Sequence, residues 1–203
     1  MLKYNQRVVN LQVYMRQDTS YLLSTPRLGL RRWRPSDLEP FTRMNLDPAV
    51  MEYFPGMMTP VETAAMVERI DAFFERNGYG LYAMDLLSTG EFLGYVGFAR
   101  PSFGSWFTPC VEIGWRLCHG AWGRGYATEA ASECLRHGFD RLGLEKIYSF
   151  TAKVNTRSER VMQKIGMEPA GEFDHPSIGE GHVLRRHVLY VSTRNAGRSF
   201  LVR

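Results

Sequence analysis

The sequence predicts a single mixed α/β domain, on three observations. A strand-like run from Val111 to Leu117 feeds a glycine-rich turn and a long amphipathic helix, and a second strand, Lys146 to Ala152, follows at once. Two further strand-like runs, Tyr79 to Leu87 and Glu91 to Ala99, are joined by a Ser-Thr-Gly turn and read as a β-hairpin. The chain has 203 residues, 44% of them hydrophobic and 13% aromatic, which suits one sizeable core.

Residues 1–24 mix Tyr, Gln, Asn and Arg without periodicity and stand apart as an N-terminal extension. Three readings of it stay open: a flexible extension, an arm for oligomer contacts as in a homodimer, or an upstream-start artefact. The domain is expected over 25–193, with a C-terminal tail over 194–203. Leu28, Leu30 and Arg32 alternate in a first strand. Ser36 with Glu39, and Thr59 with Glu62, satisfy capping-box spacing, and Pro60 falls at the first helical position. The second of these helices ends at Asn77-Gly78. After the hairpin, Val111, Ile113, Trp115 and Leu117 alternate with Glu112, Gly114, Arg116 and Cys118. The long helix places Ala127, Ala130, Ala131, Cys134, Leu135, Gly138, Phe139 and Leu142 at helical spacing, with Gly143 at its end. Strand, helix, strand in that order implies parallel pairing. Thr156 with Glu159 predicts a short helix stopping at Gly166. Strands near Glu168 to Phe173 and Val183 to Val191 close the domain around a polar loop, Asp174 to His182.

Composition narrows the function. Lys and Arg number 25 against 21 Asp and Glu, a net charge of +4. That interspersed basicity suits anionic ligands and does not favour a nucleic-acid binder, which needs a dense basic stripe. Three cysteines without C-x-x-C spacing argue against a disulfide framework and a zinc site, and suit a reducing cytoplasm. No segment approaches the ~18 apolar residues of a membrane span, and Met1 to Ser24 lacks a signal-peptide apolar region. The expectation is a cytoplasmic protein with no membrane partner and no metal.

The stretch Ala121-Trp-Gly-Arg-Gly-Tyr-Ala-Thr-Glu-Ala130 carries the chemistry. A strand-to-helix turn rich in glycine points backbone N–H groups at the positive end of the helix dipole, where phosphate binds. Helix entry alone would favour Ser or Asp over Gly123 and Gly125. The Rossmann fingerprint fails at Thr128, and the Walker ending Gly-Lys-Ser/Thr is absent.

Together with Ser24-Thr-Pro-Arg-Leu28, Arg34-Pro-Ser-Asp37, Glu112-Ile-Gly-Trp115, Asn155-Thr-Arg-Ser158 and Lys164-Ile-Gly-Met167, this stretch resembles the GCN5-related N-acetyltransferase (GNAT) superfamily. Within it, the resemblance is to the branch of ribosomal-protein alanine and serine N-acetyltransferases. The superfamily's Arg/Gln-x-x-Gly-x-Gly/Ala motif is met by Gly125 and Ala127, while Trp122 replaces the leading Arg or Gln. The resemblance implies a mostly antiparallel mixed sheet, flanked by helices and splayed where acetyl-CoA binds. It implies cofactor contacts at Leu117, Trp122, Gly123, Arg124, Gly125, Tyr126, Ala127, Thr128, Asn155 and Ser158. It further implies acetyl transfer from acetyl-CoA to a primary amine of a peptide or small molecule. A non-catalytic acyl-CoA-binding sensor on the same fold is the alternative.

Two residues are weighed as catalytic. Glu112 is an acid inside a strand, which needs a partner or a wet cleft; it reads either as a general base or as an ion-pair partner of Arg116 on the same face. Ser158 stands in for the tyrosine acid common in the superfamily, since Val161 and Met162 occupy that region; capping is its structural reading, as for Asn155. No histidine has metal-ligand spacing. His175 and His182 read as solvated loop residues or as lining for an acceptor pocket, and Trp33, Tyr53 and Phe54 as core or as its roof.

Overall fold

The computed structural model describes residues 21–194, so residues 1–20 of the expected extension and 195–203 of the tail lie outside the described residues. Eight strands form one sheet in the order β1-β2-β3-β4-β5-β6-β8-β7: β1 Leu23–Ser24, β2 Leu28–Arg31, β3 Leu81–Leu86, β4 Glu91–Ala99, β5 Glu112–Leu117, β6 Lys146–Ala152, β7 Glu168–Asp174 and β8 Arg186–Thr193. Every pairing is antiparallel except β5 with β6. The mixed α/β expectation holds. β1 pairs with β2, so the sheet takes in the last residues of the stretch read as an extension.

The helices are α1 Leu38–Asn45, α2 Pro48–Met51, α3 Pro60–Asn77, α4 Tyr126–Asp140 and α5 Thr156–Lys164. α3 starts and stops where its local signals put it. Thr59 and Glu62 cap each other reciprocally, Pro60 follows, and Gly78 at φ +74° closes the helix through its N–H to Phe74 O at 2.8 Å.

Two other capping expectations are corrected. Before α1, Asp37 rather than Ser36 acts: its Oδ2 accepts the Arg34 N–H at 2.8 Å over a 3-10 turn, Pro35–Asp37. Asp37 is fixed there because the buried Arg31 guanidinium holds its carboxylate at 2.6 Å and Asp85 at 2.6 Å. At α5 the cap is Asn155, whose Oδ1 accepts the Ser158 N–H at 3.2 Å, and not Thr156.

The core fills the space between the sheet and the helices. α4 lays Ala130, Ala131, Cys134, Leu135 and Phe139 against β4 and β5. Gly138 permits that closeness, since a Cβ there would stand 2.9 Å from Phe98 and 3.0 Å from Ile147.

Candidate active site

The parallel pair β5–β6 makes the opening. The strands register once, Glu112 opposite Tyr148, with Tyr148 N–H to Val111 O at 2.9 Å, and then diverge. Beyond that point β5 and β6 present unpaired edges to a cavity of about 680 Å³, bordered by Gly114, Leu117, Ser149 and Thr151. An open pair of strand edges offers backbone donors and acceptors to an extended, amide-bearing chain.

At the end of β5 lies the glycine turn. Gly123 and Gly125 adopt φ +72° and +79°, a conformation that disfavours any side chain and leaves the main chain bare. Gly125 is the N-cap of α4 and supplies no side-chain cap, so the first N–H groups of α4 stay available to an anion. Arg27 braces this turn from outside: its Nη1 donates to Arg124 O at 2.9 Å, its Nε donates to Glu129 at 2.6 Å, and its guanidinium stacks on Tyr126 at 4.6 Å. Trp122, the departure from the superfamily motif, has a physical role. Its Nε1–H donates to Leu117 O at 3.0 Å, tying the turn to the strand, and Arg157 stacks over its ring at 5.0 Å. Arg157, Arg160 and Lys164 of α5 add positive charge to the cleft wall. Bare backbone, an uncapped helix end and nearby cations fit a diphosphate.

Glu112, Ser158, Leu117, Trp122, Gly123, Gly125, Tyr126, Ala127, Thr128 and Asn155 all border this one cavity. Arg124 sits in the turn, exposed, with its carbonyl held by Arg27, and is outside the cavity lining. Asn155 also donates through Nδ2 to Thr151 Oγ1 at 3.0 Å, so it joins the cap of α5 to the free edge of β6.

Glu112 is the first residue of β5 rather than mid-strand, and it is partly exposed to the cleft. Burial pushes its carboxyl up to about 8, with no neighbouring cation to hold it down. The ion pair with Arg116 is not formed. Arg116 instead donates through Nη1 to Asn45 Oδ1 at 2.7 Å and lies 3.8 Å over Phe54 and 5.6 Å from the Tyr95 ring. It is 8% exposed, and its Nε has no partner. A desolvated cation costs several kcal/mol, against which a stacked ring returns about 2 kcal/mol.

The far wall was legible in the sequence only at His175, one of the two histidines offered as acceptor-pocket lining. His187 of β8 and His175 face each other at 5.0 Å between ring centroids, beside Phe150, and all three border the cavity. Burial lowers both histidines, so they are neutral at pH 7. Tyr53 and Phe54 line the cleft, whereas Trp33 is core, donating to Leu81 O at 2.8 Å. His182 turns back on its own loop, where its Nδ1 accepts the Leu184 N–H at 3.1 Å.

Comparison with known proteins bears on the family and the fold. The family model described as Acetyltransferase (GNAT) domain matches residues 27–168. The uncharacterized protein YkkB of Bacillus subtilis (strain 168) is 35% identical over 150 residues, covering 71% of this chain and 84% of that one. A solved GNAT-family acetyltransferase from Bacillus anthracis is similar at TM-score 0.72 and 29% identity, over 85% of this chain and 98% of that one. Mycobacterium smegmatis RimJ, solved in complex with CoA-disulfide, shares the fold at TM-score 0.68 and 23% identity, over 86% of this chain and 88% of that one.

Proposed function

The chain belongs to the GNAT acetyltransferase family and is an acetyl-CoA-dependent N-acetyltransferase, and on that footing we propose that it acetylates an α-amine by direct attack on the thioester. The acceptor class is a peptide N-terminus, as in the ribosomal-protein branch, or a small amine-bearing metabolite. The observation that carries the reading is the divergence of β5 from β6 just past Glu112, with the braced glycine turn at the other end of the same strand.

Roles follow from placement. Gly123 to Thr128 present N–H groups to the diphosphate, and the open edges of β5 and β6 receive the pantetheine arm. The amine nitrogen forms a bond to the acyl carbon as the carbon–sulfur bond breaks. Glu112, directly or through a water, takes the first proton of the ammonium, and Ser158 relays the second proton shed by the nitrogen to the departing thiolate. A carboxyl pushed up to about 8 is matched to an α-amine, which titrates near ~8. A lysine near ~10.4 costs about 3 kcal/mol more to deprotonate at neutral pH.

The test is acetyl-CoA-dependent thiol release with N-terminal peptides, free amino acids, aminoglycoside-like amines and N-terminally blocked lysine peptides. Higher kcat/KM for the α-amines is expected. Preference for blocked lysine peptides would overturn the acceptor assignment while leaving acetyl transfer intact.

A further inference from the structure

We propose that Arg116 is the reader of an anionic group on the acceptor, so that the substrate class is an amine carrying a carboxylate rather than a plain amine. The inference deepens the N-acetyltransferase reading and rests on it.

The cleft floor is the face of β5 that carries Glu112, Gly114 and Arg116; a Cβ on Gly114 would lie 3.6 Å from Glu112 Oε1. Glu112 and Arg116 are four residues apart, about 13 Å along an extended strand, and neither neutralises the other. Among the described residues no ion pair includes Arg116. It is nonetheless a built group. Asn45, fully buried, accepts from its Nη1 and donates in turn to Thr63 Oγ1 at 3.1 Å, and two aromatic rings hold its plane. Such bracing fixes the fork of donors and leaves Nε without an acceptor, which is the arrangement a carboxylate completes in a bidentate way. An acceptor with its amine at Glu112 and its carboxylate at Arg116 would satisfy both unpaired groups on one strand face.

The experiment uses matched α-amines from amino acid to tripeptide, each as free carboxylate and as carboxamide. Wild type is expected to favour the carboxylate by at least tenfold in kcat/KM at one spacing. Arg116→Met is expected to bring that ratio to about one, with acetyl-CoA affinity by calorimetry within about threefold of wild type. Should Arg116→Met fail to fold, Asn45→Asp gives the guanidinium an internal anion and is expected to abolish the preference likewise. Equal rates for the two forms in wild type would overturn the proposal. So would a preference that survives in both variants, or a variant that loses acetyl-CoA affinity while keeping the preference. If no amine at all is turned over, the acetyl-transfer assignment to amines falls. Calorimetric binding of the same pairs in the presence of CoA then still decides on Arg116.

Discussion

Replacing Glu112 with Gln exchanges a titrating carboxyl for a neutral amide of nearly the same shape, and the consequence for folding can be worked out before any substrate is known. Glu112 has an ordinary value of 4.5 in the unfolded chain, whereas burial pushes it up to about 8 in the fold. Between those values the folded chain keeps a proton that the unfolded chain has released. Rising pH therefore removes stability across that window and removes nothing more above it. For a carboxyl sealed from solvent the gap would be worth about 5 kcal/mol. Glu112 borders an open cleft, and water there reduces the effect to about 1–2 kcal/mol. Thermal unfolding of both proteins from pH 4 to pH 9, without ligands, is the assay. The two are expected to coincide at pH 4, and Glu112→Gln to melt about 3–6 °C higher by pH 9. Parallel curves over the whole range would refute the reasoning, because they would mean an ionised, solvated carboxyl. Kinetics give a second reading. Turnover is expected to fall about 10²-fold in the variant. The pH limb near 8 is not diagnostic alone, since the acceptor amine titrates there too; a limb that survives in Glu112→Gln belongs to the amine.

Other perturbations separate the parts of the site. Gly125→Val forces a β-branched residue into φ +79° beside the cradle, and calorimetry on the folded variant is expected to show acetyl-CoA bound at least tenfold more weakly, about 1.4 kcal/mol; unchanged affinity would remove the turn from cofactor binding. Asp85→Ala strips one carboxylate from the buried Arg31 guanidinium, and urea unfolding is expected to register a loss of about 3–5 kcal/mol. His175 and His187 are lowered by burial, so the unfolded chain takes up protons first as pH falls below about 6.5 and stability declines with acidification. His187→Phe is expected to flatten that decline in melts at pH 5 to 7.

How much was legible depends on how local each determinant is. The cap of α3, the stop at Asn77-Gly78, strand β6 and the turn at Gly123–Gly125 are each decided within a few neighbouring residues, and the sequence predicted them. The boxes at Ser36/Glu39 and Thr156/Glu159 had the right spacing but met competitors. Asp37 is committed by Arg31 and, through it, by Asp85, and Asn155 offers a side-chain oxygen one residue earlier. The two-residue strand at Leu23–Ser24 is too short to show periodicity. Arg116 could be placed beside Glu112 by strand alternation, but its true partners, Asn45 and Phe54, arrive from segments 71 and 62 residues away. No local pattern announces them.

That difference follows the two halves of the cleft. The half proposed for the cofactor is contributed mainly by the continuous stretch from β5 through the first turn of α4, braced from outside by Arg27. The half proposed for the acceptor is lined by the segment after α2, by β4, and by the β6–β8 wall with His175 and His187. Each of these contributes its own side chains and can change without moving the turn, which is how one scaffold serves many acceptors. β5 joins the halves and carries a penalty for doing so, because Glu112 and Arg116 both lose hydration without gaining a counter-charge. A ligand that satisfies them binds the folded chain and not the unfolded one, and it stabilises the fold by mass action. Site and stability are therefore opposed on this strand. Substitutions that stabilise the free protein at Glu112 are the ones expected to remove its chemistry.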